Sequence, residues 1–322
     1  MHTIVDYYSR IRQLKKEKNA VILAHYYMSP ELQVLENDGG VADYIGDSLG
    51  LSIEASKSTA DNIIFCGVLF MAETAKILNP HRHVYIPDKE AGCSLAASIT
   101  AADVRALKQQ YPGVPVMAYI NTYAETKAEC DICCTSRNAV DIIKSLEGDT
   151  VIFLPDKYMG ENLNRRIAAE TGKKLILWDG VCEVHEQFRP DSIGALEKLY
   201  PNAEMLLHWE VPQETVVSSL DDRGGVLGST TDILRYVRQS KSRQFILASE
   251  CDLGATLKSM YADREFITPC IKCPYMKKIT LQNTLNALES IGTANETQYE
   301  VILAVEIMEK ARLPIKRMFQ FS

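Results

Sequence analysis

Short apolar runs rich in valine, isoleucine and leucine recur along the whole chain, separated by stretches in which apolar positions follow helical spacing. In the first half the runs are "AVILAHYY" (20–27), "NIIFCG" (62–67), "HVYIPD" (83–88), "VPVMAYINT" (114–122) and "TVIFLPD" (150–156). In the second half they are "KKLILWD" (173–179), "AEMLLHWE" (203–210), "GGVLGST" (224–230), "QFILASE" (244–250) and "EFITP" (265–269). None alternates strictly between apolar and polar. Such runs suit strands buried on both faces, as in a parallel sheet covered by helices. The pattern predicts an α/β protein.

The runs repeat at about ninety residues. Met71 and Glu73 of "FMAETAKIL" reappear 88 residues later as Met159 and Glu161 of "YMGENLNRRI". The slot held by His25 after the first run is held by Tyr119 and His208 in the later ones, at steps of 94 and 89 residues. The last run of each unit leads into a cysteine: Cys93, Cys182 and Cys273 lie 89 and 91 residues apart. A period of this length is that of a small domain, longer than a solenoid repeat. Three similar units, each a small parallel sheet flanked by helices, can pack in a triangular, pseudo-threefold arrangement. The expected domains are 1–99 completed by 274–322, then 100–185, then 186–273.

At 322 residues and 46% hydrophobic, the chain is long enough for such a set of domains. Its net charge of −7, without a basic block, argues against a nucleic-acid partner. The N-terminal stretch has the pattern of an amphipathic helix and no apolar signal core. No segment reaches the roughly 18 apolar residues of a membrane span. A soluble cytoplasmic protein is expected. In a reducing compartment the nine cysteines read as thiols or metal ligands rather than a disulfide framework, and their odd number points the same way.

Ligands in open α/β sheets bind beyond the carboxyl ends of the strands, so three such ends facing one axis would bring three thiolates together. Buried free cysteine is common in cores, but here each of the three follows a strand end. Structural zinc takes four ligands, often in tight pairs. Three single cysteines from three units suit an interdomain iron–sulfur site better, with one iron left open as a Lewis acid. The third ligand is one member of the pair Cys270/Cys273, the other being a neighbour able to form a disulfide. Around them, also at strand ends, stand His25, Tyr27, Ser48, Tyr119, Asn121, Ser136, His185, His208, Glu210 and Thr230, a polar set suited to a small anion. His81, His83, Trp178, Trp209 and the Met/Glu pairs at 71/73 and 159/161 read as structural, and Cys130/Cys133/Cys134 of "DICCTS" has no partner pair for a second metal site.

Taken in order, "AHYY", "GDSL", "FMAETAKIL", "AGCSL", "AYINT", "TSRNAV", "LPDKYMG", "VCEVHEQF", "GSTTDIL" and "CPYMKKITL" resemble the quinolinate synthase family over essentially the whole chain. The resemblance implies three α/β domains about a central 4Fe–4S cluster held by Cys93, Cys182 and Cys273. It implies substrate contacts from His25, Tyr27, Ser48, Tyr119, Asn121, Ser136, His185, His208, Glu210, Thr230 and Met276, with Glu210, His208, Tyr27 and Tyr119 as the acid/base groups. The implied reaction condenses iminosuccinate, made by L-aspartate oxidase, with dihydroxyacetone phosphate to give quinolinate for NAD synthesis. One departure stands out: the family commonly has His-Pro-Glu where this chain has His208–Trp209–Glu210. Rival readings are another iron–sulfur hydro-lyase acting on a small dicarboxylate, and a zinc-stapled scaffold without enzyme activity.

Overall fold

The computed structural model describes residues 3–220 and 223–321. Its strands form three four-stranded sheets, every pairing parallel. The first contains β1 (Ala20–His25), β2 (Tyr44–Gly46), β3 (Asn62–Cys66) and β4 (His83–Tyr85). The second contains β5 (Val116–Tyr119), β6 (Ile132–Cys134), β7 (Thr150–Leu154) and β8 (Lys174–Leu177). The third contains β9 (Glu204–His208), β10 (Gly225–Gly228), β11 (Gln244–Ala248) and β12 (Glu265–Ile267). The strand orders are β2-β1-β3-β4, β6-β5-β7-β8 and β10-β9-β11-β12, one topology drawn three times. The ninety-residue repeat is therefore a repeat of whole α/β units.

The two central strands of each sheet are the apolar runs. β3 is buried at every position, and so are β5 and the last four residues of β7, β9 and β11, because helices cover both faces. Two strands went unforeseen, β2 and β6. Each is a three-residue edge strand flanked on both sides by polar residues that cut the apolar run short. Both matter, since each delivers the chain to a serine of the site.

The segment 34–40 before β2, which no pattern explained, is a folded-back loop. Leu35 bridges Ala42, Gly39 takes φ +88° at the turn, and the buried Lys15 side chain reaches into it. The Lys15 ammonium pairs with Glu36 and with Asp43 at 2.7 Å and donates to the Val41 carbonyl at 2.8 Å. A buried ammonium so fully partnered pins the loop that precedes β2.

Beyond the third sheet the chain returns to the others. Helix Leu281–Ser290 packs on helix Ile4–Glu17 and β3, while helix Val305–Met318 lies against β6 and helices Leu69–Leu78 and Ala124–Lys127. Glu73, buried in Leu69–Leu78, accepts the Ala124 amide at 2.8 Å and so ties the first unit to the second. His83 pairs at the surface with Glu300 at 2.7 Å.

One expectation is corrected. Cys251 and Cys270 are joined in a disulfide, and the remaining seven cysteines are free. The spacing of cysteines along the chain could not reveal this pair, because Cys251 opens a helix and Cys270 sits in the loop after β12. Cys66, Cys130, Cys133 and Cys134 are buried packing residues; burial pushes their thiols up, those of Cys66 and Cys133 to about 12.

A candidate active site where three sheets meet

The carboxyl ends of the three sheets open onto one cavity. All fourteen residues singled out from the sequence line it. Twelve of them come in sets of three, one member from each unit, and His185 and Met276 stand three residues past two of the cysteines.

The first set sits at the ends of the leading strands. β1, β5 and β9 end at His25, Tyr119 and His208, and two residues further along stand Tyr27, Asn121 and Glu210. In two units the backbone locks this pair: the Tyr27 amide donates to His25 Nδ1 at 3.1 Å, and the Glu210 amide to His208 Nδ1 at 3.4 Å. Nδ1 is thus the acceptor in both rings, which leaves Nε2 to carry the proton. Burial lowers both imidazoles to about 3, helped by the charge of Lys277 near His25 and by His185 near His208. Both rings are neutral at physiological pH.

Hydroxyls make the second set. β2, β6 and β10 run into Ser48, Ser136 and Thr230. Ser48 and Thr230 open ten-residue helices, capped by Asp47 and Ser229. Thr230 also lies 3.3 Å from the Tyr27 hydroxyl, which in turn meets Ser249 at 3.0 Å.

Cysteines make the third. Cys93, Cys182 and Cys273 follow β4, β8 and β12, and all three are free. Each sulfur accepts a backbone N–H from the residue three positions on, namely Ala96, His185 and Met276. Each cysteine's own amide is also held: Cys93 donates to the Tyr123 hydroxyl at 3.2 Å, Cys182 to the Asp156 carboxyl, and Cys273 to Glu250 at 3.2 Å. Burial raises the three thiols, Cys93 to about 12 and Cys273 to about 11, so a metal must displace their protons to bind.

Glu210 is the hub. Tyr119 donates to its Oε1 at 2.6 Å, and His185 Nδ1 meets its Oε2 at 3.0 Å. Burial alone would push the carboxyl up, but the neighbouring His185 and these two hydrogen bonds hold it below the usual carboxylate range. Asp156 nearby behaves oppositely: burial and the charge of Glu210 raise its carboxyl. Two carboxyl groups with protons at such different affinities are a common basis for acid–base work. His185 Nδ1 also lies 3.3 Å from Cys182 Sγ, and its ring stacks on His208 at 4.4 Å between centroids.

Sequence reasoning overlooked several lining residues. Asp47 stands beside Ser48 in "GDSL", and Glu250 lies two positions past β11, the same offset as Tyr27, Asn121 and Glu210 from their strands. That offset was the available signal. Met71, assigned to packing, lines the cavity as well.

The profile of the quinolinate synthetase A protein family matches residues 9–320 of this chain. The chain belongs to the quinolinate synthase family. Among its relatives, the quinolinate synthase of Caulobacter vibrioides is 45% identical over 312 residues, covering 96% of this chain and 80% of that protein. Quinolinate synthase 2 of Mesorhizobium japonicum is 46% identical, covering 96% of this chain and 89% of the relative. The quinolinate synthase of Xylella fastidiosa is 42% identical, with 96% and 85% covered. Membership of the quinolinate synthase family makes the chain an enzyme with small-molecule substrates. Among the described residues no helix is long and apolar enough to cross a membrane.

Proposed function

We infer that the chain is a quinolinate synthase that condenses iminosuccinate with dihydroxyacetone phosphate, losing phosphate and water to form quinolinate for NAD biosynthesis. The observation that carries this reading is one cavity gathering a free thiol from the end of each sheet beside the Tyr119–Glu210–His185 cluster. L-Aspartate oxidase is the proposed source of iminosuccinate, and the cytoplasm the proposed compartment.

The donor set fits a 4Fe–4S cluster. Thiolates are the soft ligands such clusters take, and N–H groups aimed at the sulfurs are a usual feature of their sites. Cys93, Cys182 and Cys273 would hold it; the bond of Cys270 to Cys251 favours Cys273 as the third ligand. With three protein ligands the cluster supplies an open iron as a Lewis acid for a substrate oxygen.

The protein's own groups do the rest. Glu210, ionised at neutral pH, is the base that takes a proton from a substrate carbon, and the Tyr119 hydroxyl donates to that carboxylate and positions it. His185 orients the carboxylate from its other oxygen. His25 and His208 offer neutral Nε2–H donors, and Tyr27 a hydroxyl whose own partners are Ser249 and Thr230. Ser48, Ser136, Thr230 and Asn121 bind carboxylate and phosphate oxygens; the Asn121 carbonyl oxygen is buried with no partner in the protein, leaving it for a substrate hydroxyl or amine. Met276 closes the apolar wall.

The test is anaerobic purification with iron, sulfide and zinc analysis, followed by an assay for quinolinate from the two substrates. Quinolinate formation with about four irons and four sulfides per chain is expected. Stoichiometric zinc in place of iron, or an iron-loaded protein that makes no quinolinate, overturns the reading.

A further inference from the structure

Beyond the hydroxyl set lies an outer ring, again with one residue from each unit. Asp47 precedes Ser48, Arg137 follows Ser136 and Thr231 follows Thr230. The Thr231 hydroxyl donates to Asp47 Oδ2, and the Arg137 guanidinium stands 4.0 Å from Asp47 Oδ1. Asp47 itself lines the cavity. Arg137, next in sequence to Ser136, thus stands 4.0 Å from a carboxylate that lines the cavity.

The charge of the cavity makes this arginine conspicuous. No described lysine or arginine lines it, whereas the carboxyl groups of Asp47, Glu210 and Glu250 do. The imidazoles of His25 and His208 are neutral. Yet one proposed substrate is a phosphate monoester, carrying close to two negative charges at neutral pH. Lys277 cannot serve, because Glu250, Asp252 and the Tyr27 carbonyl already engage its ammonium.

Arg137 is differently placed. A separation of 4.0 Å from Asp47 is well beyond the roughly 2.7–2.9 Å of a charge-assisted hydrogen bond, so its donors are not committed to that carboxylate. Its side chain is one-third exposed. The planar guanidinium presents donors in the fork that matches phosphate.

We propose that Arg137 is a substrate-binding residue that receives the phosphate of the triose phosphate, with the Ser48 and Ser136 hydroxyls completing the cradle. Asp47, 4.0 Å away, keeps the guanidinium beside the mouth without occupying its donors. The proposal rests on the quinolinate synthase reading for the identity of the phosphate ester, and on the geometry alone for the anion site. The competing account is a plain ion pair bracing the first unit against the second.

The experiment compares reconstituted wild type with Arg137→Ala and Arg137→Lys under anaerobic conditions, varying each substrate at saturating levels of the other. Arg137→Ala is expected to raise the KM for dihydroxyacetone phosphate by about 10- to 100-fold, the usual worth of hydrogen bonds to a charged group. The KM for iminosuccinate, the melting temperature and the cluster absorbance should stay within experimental scatter. Arg137→Lys should recover part of the loss, since it keeps the charge without the fork. Inorganic phosphate, as a competitor of the triose phosphate, should weaken by the same factor in Arg137→Ala. An unchanged KM for the triose phosphate overturns the proposal. So does a parallel rise in both KM values with a lowered melting temperature, which is the signature of the brace. If wild type makes no quinolinate, the enzymatic reading fails instead, and phosphate titration by calorimetry decides the anion site: binding to wild type that Arg137→Ala loses upholds it, equal binding or none sinks it.

Discussion

Glu210 shows how much a single side chain can depend on its neighbours. One oxygen accepts from Tyr119 and the other from His185, so both faces of the carboxylate are used. Glu210→Gln keeps the volume but turns one acceptor into a donor and removes the base. Turnover should fall by roughly 10² to 10⁴ while iron content is retained; near-normal turnover with an intact cluster would move the role to His208. Trp209, between the two groups, was read from the sequence as filler. Its ring is 8% exposed, and its amide donates to the Gly228 carbonyl at 3.2 Å. Trp209→Pro therefore loses a strand-end hydrogen bond together with a buried indole. The expected cost is about 3 kcal/mol or more, read as a clear drop in melting temperature, although proline is what the family commonly carries there. The histidines set a pH dependence. Unfolded, His25 and His208 take up protons near 6.5; folded, only near 3. Between those values the unfolded chain binds more protons, so these two residues make stability fall as pH drops through that window. Asp156, with its carboxyl raised by burial, works in the opposite sense. His208→Gln removes one share, and its melting temperature should fall less between pH 7 and pH 4 than that of wild type. Parallel curves would mean that His208 is not held neutral by the fold.

Elements were readable where an apolar run was long enough to stand out. The six central strands announce themselves as apolar runs because both faces are covered, and their ends, marked by His25, Tyr119 and His208, gave the site its first coordinates. The three-residue β2 and β6 left no pattern, so Ser48 and Ser136 could be identified only as residues beside Gly or Cys motifs, without the strands that aim them. Asp47 and Arg137 stayed hidden for another reason. Their importance lies in contacts across units, between positions 90 to 184 residues apart, which no local window records. The disulfide between Cys251 and Cys270 escaped because it joins the start of a helix to a loop 19 residues on, with no pattern to mark the pair. At this scale the prediction concerns the three loops that follow β4, β8 and β12. Alanine at Cys93, Cys182 or Cys273 should abolish the iron–sulfur absorbance, whereas Cys66→Ala, Cys130→Ala, Cys134→Ala or Cys251→Ala should retain it. Normal iron in Cys273→Ala would reassign the third ligand to Cys270 and require its bond to Cys251 to open.

For the whole molecule, the site belongs to no unit by itself, and its integrity depends on all three staying together. Glu73 on the Ala124 amide and Thr231 on Asp47 are two of the links between units, and a group bound by one cysteine of each would add a third. Anything that binds only the assembled state stabilises it by mass action, so the iron-loaded protein should melt higher than protein treated with chelator under reducing conditions. Exposure to air should erase both that difference and the activity, because an iron with only three protein-held corners of its cluster is open to loss on oxidation. Full activity after prolonged aerobic handling, without reconstitution, would count against a catalytic cluster. The threefold frame carries one more consequence. Its backbone slots are equivalent, but their occupants are not: His25, Tyr119 and His208 fill one slot, and Tyr27, Asn121 and Glu210 another. A cage with three alike walls would hold a lopsided molecule in three orientations and let each wall meet every part of it. Here the walls are painted differently, so a guest that turns by a third finds the wrong partners. Trading the occupants of two slots, as in the double variant His25→Tyr with Tyr119→His, would leave a frame that still folds around a cavity with its sense of direction lost.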